Sequence, residues 1–525
     1  MKLVKSLVLG SAAALVAMSG AQAADLPIKA HPVEYVRICS LYGAGFFYIP
    51  GTDTCIKIGG YLRADYMINT GNDYGFASGT PDGAQNRLRN YSTTRARQDL
   101  TVDTRTATEY GVVRTFSELV FTWTGGEYIG AGALASVTAP NGLGGTTTYN
   151  STTSTIGGAQ LGMYLAFIQF AGFTFGRAYS FFDAPWQSYP AGGPDTLPGG
   201  SNHVTGVNQV AYTAQFGNGI SATIALQDPT VYDTTNIWNL SFPGGIVPTI
   251  GLNGAVNFLQ GYGAPSLAGA LRMYDVVGQF KIEQAWGMFQ LSAVAHDNFA
   301  GYYGPTEDTG HPGSKWGWAI QPSLSIKAPF LGAGDVFNMQ GVYTDGATRY
   351  NFQSLFPNTI AMFGGTSFPG AYQSFGFAVL ADAVFTGGNA TFPNSGLELV
   401  KSWGFRGGYA HNWDPYWVTQ IYGGYGRVDY GTLATTLICD FFRRNLALTG
   451  SCNPDFAVGV IGGNVIWTPV KGLSFTADVS WTRLDQNYSG TITVQPPVAL
   501  AKPNAIYELR DQNSVTALLR AQRNF

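Results

Sequence analysis

The stretch Cys55-Ile56-Lys57-Ile58-Gly59-Gly60-Tyr61-Leu62-Arg63-Ala64-Asp65-Tyr66-Met67-Ile68-Asn69 alternates apolar and polar side chains. Ile56, Ile58, Leu62, Ala64, Tyr66 and Ile68 share one parity; Lys57, Tyr61, Arg63 and Asp65 share the other. A period of two puts these sets on opposite faces of a β-strand. Such segments recur to the last residue, joined by connections that alternate between long and very short. In a soluble sandwich the apolar set would face a shared core. This chain has far too many strands for one sandwich and too few continuous apolar runs for two-sided burial. A closed barrel with lipid outside and water inside resolves both.

Outward from that stretch the rhythm holds. A segment near Thr94–Thr108 carries Ala96, Leu100 and Val102 on one face and Arg95, Arg97, Asp99, Asp103 and Arg105 on the other. Glu109-Tyr110-Gly111 turns the chain into a strand near Val112–Thr124. Ala171-Gly172 and Gly217-Asn218-Gly219 mark further hairpins, the second being a strong turn signal. The last segment, near Asn513–Phe525, ends on a terminal Phe. The whole predicts a transmembrane antiparallel β-barrel of about sixteen strands, with long extracellular loops and short periplasmic turns. Tyr and Trp residues near many strand ends, among them Tyr61, Tyr66, Trp286, Trp316, Trp417 and Trp467, suit an interfacial girdle.

The N-terminus reads as an export signal. Lys2 and Lys5 precede an apolar run from Leu7 to Met18, and Ala21-Gln22-Ala23 fits the small-residue cleavage pattern. Residues 1–23 are therefore expected to be a signal peptide, 24–54 a periplasmic N-terminal segment and 55–525 the barrel. Charged residues make up only 12% of the 525, against 14% aromatic residues and 69 Gly, as short strands, tight turns and lipid-facing belts require. The net charge is −3, or about −5 once Lys2 and Lys5 leave with the signal. That balance disfavours nucleic acid as a partner. Outer-membrane lipid is the partner the pattern implies.

Four cysteines form two local pairs, Cys39 with Cys55 and Cys439 with Cys452. In an exported chain, an even count at short spacing favours disulfides over metal. No metal ligand is predicted: neither pair has C-x-x-C spacing or a nearby His. Catalysis is poorly supported, since the five His are scattered and no G-x-S-x-G elbow or Gly-Lys phosphate loop occurs. No cofactor is expected.

Tyr42-Gly43-Ala44-Gly45-Phe46-Phe47-Tyr48-Ile49-Pro50-Gly51-Thr52-Asp53-Thr54-Cys55, running on into Ile56 to Tyr61, resembles the opening of the alphaproteobacterial general porins. Ala166 to Arg177 resembles their middle signature, and Asn464 to Lys471 and Arg520 to Phe525 also fit. The resemblance covers essentially the whole mature chain, apart from the long loops. It implies a homotrimeric, sixteen-stranded outer-membrane porin passing small hydrophilic solutes and ions, whose third long loop folds into the lumen. It also implies that Phe525, which must close the barrel beside the first strand, is read by the assembly machinery.

A porin needs a bore, a constriction and an arrangement of charge. Arg63, Arg95, Arg97 and Arg114 lie on the polar parity of the first three strands. Facing lipid at mid-bilayer, an Arg would cost about 2–4 kcal/mol, so these four are expected in the lumen as a basic wall. They could equally pair with Asp65, Asp99, Asp103 and Glu118 and brace the wall. The loop 180–206 follows Gly176-Arg177, and is the candidate constriction, with Asp183 and Asp195 as its acids and Pro185, Pro190, Pro194 and Pro198 to stiffen it. Arg177 has the parity of Phe173 and Phe175, so its direction stays open. A general diffusion channel leads. The alternatives are a substrate-selective channel, for instance for sugars or anions, and a structural or adhesive barrel with a filled lumen.

Overall fold

The computed structural model describes residues 37–70, 92–125, 136–140, 146–150, 159–186, 195, 197–201, 205–232, 235–239, 269–302, 307–353, 356, 359–386, 396–494 and 502–525. The expected signal peptide, Pro190 and Pro194 lie outside the described residues.

The alternating segments become sixteen barrel strands. These are β1 (Thr54–Ile68), β2 (Ser92–Thr108), β3 (Gly111–Thr124), β4 (Ala159–Phe170), β5 (Phe173–Ala178), β6 (Val207–Gly217), β7 (Ile220–Gln227) and β8 (Asp275–Gln284). The second half comprises β9 (Gly287–Asn298), β10 (Lys315–Lys327), β11 (Val336–Asp345), β12 (Lys401–Asn412), β13 (Trp417–Asp429), β14 (Phe456–Val470), β15 (Leu473–Gln486) and β16 (Gln512–Asn524). Each pairs antiparallel with the next, and β16 returns to β1, with Tyr61 opposite Asn524 and Ile68 opposite Ala517. The Phe525 N–H donates to the Gly60 carbonyl at 3.1 Å, so the terminal residue seals the seam. Closure is what lipid demands, because an open edge would leave backbone groups unpaired.

The two parities separate as expected. On β1, Ile58, Leu62 and Tyr66 are 51%, 53% and 44% exposed on the lipid side, while Asp65 and Met67 are 4% and 0% exposed inside. The short connections are tight for a local reason. Ala171-Gly172 and Asn218-Gly219 both take positive φ at each residue, the geometry that matches a two-residue hairpin to strand twist.

The long loops are not merely flexible connections; several fold back over the lumen. Strands at 359–364, 373–379, 505–509 and 491–494 form one inner sheet, and those at 236–239, 381–385 and 397–399 form another. Helix α1 (Thr432–Asn445) presents Ala434, Ile438 and Phe442, spaced i, i+4, i+8, to the same apolar core. Its N-terminus is capped from another loop: the Ala434 N–H donates to Glu398 Oε2 at 2.8 Å. Phe352, Phe377, Val458 and Leu484 join this core, tying the loop residues to the inner faces of β14 and β15. Both disulfides are present, Cys39–Cys55 tying the preceding segment to the start of β1 and Cys439–Cys452 across the loop that contains α1.

Candidate pore and constriction

Register along β1, β2, β3 and β16 builds the charged wall. Asp65 lies opposite Arg95 on one side and Arg520 on the other. It accepts from Arg95 Nη2 at 2.8 Å and from Arg520 Nε at 2.7 Å. One pair further toward the periplasm, Arg63 and Arg97 stand directly opposite each other. Arg63 Nε donates to Gln522 Oε1 at 2.7 Å and lies over the Tyr61 ring; Arg97 Nε donates to Thr122 Oγ1 at 3.1 Å. Lower still, Arg105 and Arg114 are opposite and both bind Asp103, each at 3.0 Å. Arg63, Arg95, Arg97 and Arg114 all share the parity opposite to the apolar, lipid-side residues of their strands. Two of them, Arg95 and Arg114, are also ion-paired braces, with Asp65 and Asp103 as partners.

The loop 180–206 starts early because β5 is only six residues long. It runs along the inner wall of β8 to β12, held by long polar side chains on the inward parity. Gln279 donates to the Phe181 carbonyl at 2.8 Å, Gln290 to the Asp183 carbonyl at 2.9 Å and Gln321 to the Phe182 carbonyl at 3.0 Å. Trp186 Nε1 donates to Gln340 Oε1 at 3.1 Å. The buried Arg406 guanidinium grips the carbonyls of Leu197 at 3.3 Å and Ser201 at 2.5 Å. Asp195 then meets Arg95 Nη1 at 3.2 Å. The described residues of the loop are thus fastened to β8–β12 through residues 181–186 and 197–201, and to β2 through the Asp195 carboxylate.

Missing side chains let the loop lie this close. A Cβ on Gly424 would fall 2.4 Å from the Pro198 carbonyl oxygen, and one on Gly426 2.6 Å from the Phe352 ring. A second inward loop, 346–400, reinforces the first: the Gly199 and Gly200 N–H groups donate to the Asn351 carbonyl at 3.1 and 3.0 Å. Its buried Arg349 donates to the carbonyls of Gln353 at 3.0 Å and Phe356 at 2.6 Å. Burial lowers the Arg349 pKa to about 10, so it stays charged at neutral pH.

The two candidate acids part company. Asp195 reaches the basic wall. Asp183 is 4% exposed and sits on the opposite side, its carbonyl held by Gln290 of β9. Arg177 keeps the side of Phe173 and Phe175, and its Nε donates to the Thr205 carbonyl at 2.7 Å. Parity alone could have found Arg520, which falls between the outward Leu519 and Ala521. The glutamines and Arg406 that moor the loop carry an inward parity too, but nothing in the sequence says what they hold. Among the described residues no group of three or more His, Cys, Asp or Glu could hold a metal ion.

A closed sixteen-stranded barrel with lipid-facing apolar parity, a charged inner wall and an inward loop defines the class of outer-membrane channels. The profile of the Porin subfamily matches residues 25–518, and the chain belongs to that family. Porin Omp2b of Brucella suis biovar 1 (strain 1330) is 33% identical over 402 residues, 76% of this chain and 89% of that protein. Porin Omp2b of Brucella melitensis biotype 1 is 32% identical over the same length. The crystal structure of the outer membrane channel DcaP of Acinetobacter baumannii shares the fold, at TM-score 0.51 and 14% identity, covering 91% of this chain and 99% of that one. The protein is an outer-membrane porin, a multi-pass β-barrel channel for passive diffusion.

Proposed function

We propose that this porin is a homotrimeric general diffusion channel, without catalytic activity, in which the loop 180–206 sets the constriction and the basic wall of β1–β3 sets ion preference. Small hydrophilic solutes and ions are its cargo. The observation that carries this reading is the contact of Asp195 with Arg95, because it brings the loop against the charged wall at one height of the bore. Low-dielectric walls focus the field of fixed charges on a confined path. In this reading 1–23 is the export signal, 24–54 the periplasmic lead-in and 55–525 the barrel.

The test is a planar-bilayer reversal potential under a KCl gradient. Neutralising Arg95 and Arg97 together, as Arg95→Gln and Arg97→Gln, should move it toward cations. The shift should fade at high salt, where the Debye length falls to about 3 Å at 1 M. Identical potentials in wild type and double variant would make these arginines braces only.

The outer face supports the trimer. Gln98 lies opposite Leu62 and Phe121, both lipid-side residues, and Ser117 lies opposite Val102 on the same outward parity. Amide and hydroxyl groups facing acyl chains lack partners there. A second copy covering β2 and β3 would remove that cost. Ser117→Trp should convert trimer to folded monomer on size-exclusion chromatography in detergent; a persisting trimer would place the interface elsewhere.

A further inference from the structure

Two of the wall's arginines stand apart from the rest. Arg95 and Arg520 share Asp65, with Asp195 added; Arg105 and Arg114 share Asp103. Arg63 and Arg97 have only neutral hydrogen-bond partners, Gln522 and Thr122, and among the described residues neither forms an ion pair. Like charges directly opposite across a ladder are destabilising. Their Cα atoms are held at the roughly 4.5–5.5 Å spacing of an antiparallel pair, and both side chains are half-buried. Asp99, two residues on toward the periplasm and on the same parity, attracts both guanidiniums, and Glu118 attracts Arg97, but neither carboxylate forms an ion pair with them.

We propose that Arg63 and Arg97 form a binding subsite for a small oxyanion, a phosphate or a carboxylate, on the path through the pore. This deepens the channel reading above and rests on it. A guanidinium offers a planar fork of donors matched to two oxygens of such a group, and a chloride ion cannot use that geometry. Gln522 and Thr122 hold the two Nε atoms. That leaves the Nη edges as the groups that face a ligand. The site lies one residue pair below Asp65 and Arg95, where the inward loop is fastened, so a solute passing that contact meets it next.

The experiment measures KCl current through the purified protein in planar bilayers while inorganic phosphate is added at constant ionic strength, with succinate in a parallel arm. Wild type should lose current along a saturating curve. In the double variant Arg63→Gln, Arg97→Gln the half-blocking concentration should rise about tenfold or more, the loss expected when charge-assisted bidentate contacts go. Arg63→Lys with Arg97→Lys keeps the charge but not the fork, and should fall between. Arg443→Gln, at an exposed position of α1, should match wild type. Saturation by phosphate, succinate or both assigns the ligand within the oxyanion class. A linear, unsaturating response in wild type, or equal saturation in wild type and the glutamine variant, would overturn the subsite while leaving the channel intact. Absence of KCl current in wild type would instead refute the channel reading itself.

Discussion

Asp195 on the inward loop lies 3.2 Å from Arg95 on β2, and Asp65 holds the same guanidinium from its other side at 2.8 Å. Arg95 is wholly buried and Asp195 is partly exposed, so the wall arginine is fixed by Asp65 and the loop is the part free to let go. Asp195→Asn should therefore leave the barrel folded and increase open-channel current noise, because the loop loses its charged tether to β2. The Gln353 side chain still holds the Asp195 carbonyl, which should limit the excursion. Asp183→Asn should change selectivity little, since that residue sits by β9 and away from the arginines. Single-channel recordings at low salt check both; equal noise in Asp195→Asn and wild type would remove the tether.

Gly424→Leu should act from the other side of the lumen. Its side chain would occupy the space of the Pro198 carbonyl and of the Leu197 side chain, which a Cβ alone would approach to 2.9 Å. The strand cannot yield without breaking its pairing to β12 and β14, so the loop should shift instead. A single-channel conductance that differs from wild type, with multiple sublevels, is the expected outcome; an unchanged unitary conductance would show that the loop tolerates the displacement.

The Cys439–Cys452 bridge closes a short segment across α1 and its return, 13 residues apart. In the chain-entropy picture a loop of about 15 residues is stabilised by at most about 3 kcal/mol. The paired substitution Cys439→Ser, Cys452→Ser should expose the α1 loop to limited proteolysis while the barrel stays resistant. Peptide mapping without reductant should recover this pair and Cys39–Cys55; equal protease resistance of variant and wild type would assign the loop's order to its apolar core alone.

Deleting Phe525 should reduce the yield of folded, membrane-inserted protein. The deletion removes the Phe525 N–H to Gly60 hydrogen bond and shortens the seam at the periplasmic end of β16. Surface-accessible, heat-modifiable protein, measured against total protein, reads the effect. Unchanged yield would show that pairing through Asn524 suffices for assembly.

Alternation alone determined the barrel. A period of two cannot hide a one-residue slip, because a slip would put Arg63, Arg95, Arg97 and Arg114 in lipid. The turn residues at 171–172 and 218–219, and the need to leave no free edge in a membrane, fixed the hairpins and the closure by Phe525. Even the cysteine partners were legible, being near in the chain. The contents of the lumen were not. Nothing local distinguishes Asp195, which crosses to Arg95, from Asp183, which stays against β9. The difference comes from where Gln279, Gln290, Gln321 and Arg406, spread over four strands, place the loop's carbonyls. Likewise the inner sheets join segments more than a hundred residues apart, and strand periodicity carries no record of which loops share a core. Membrane and water act on each residue where it stands and so write their pattern into the sequence; contacts across the bore depend on the closed ring, and only the tertiary structure decides them.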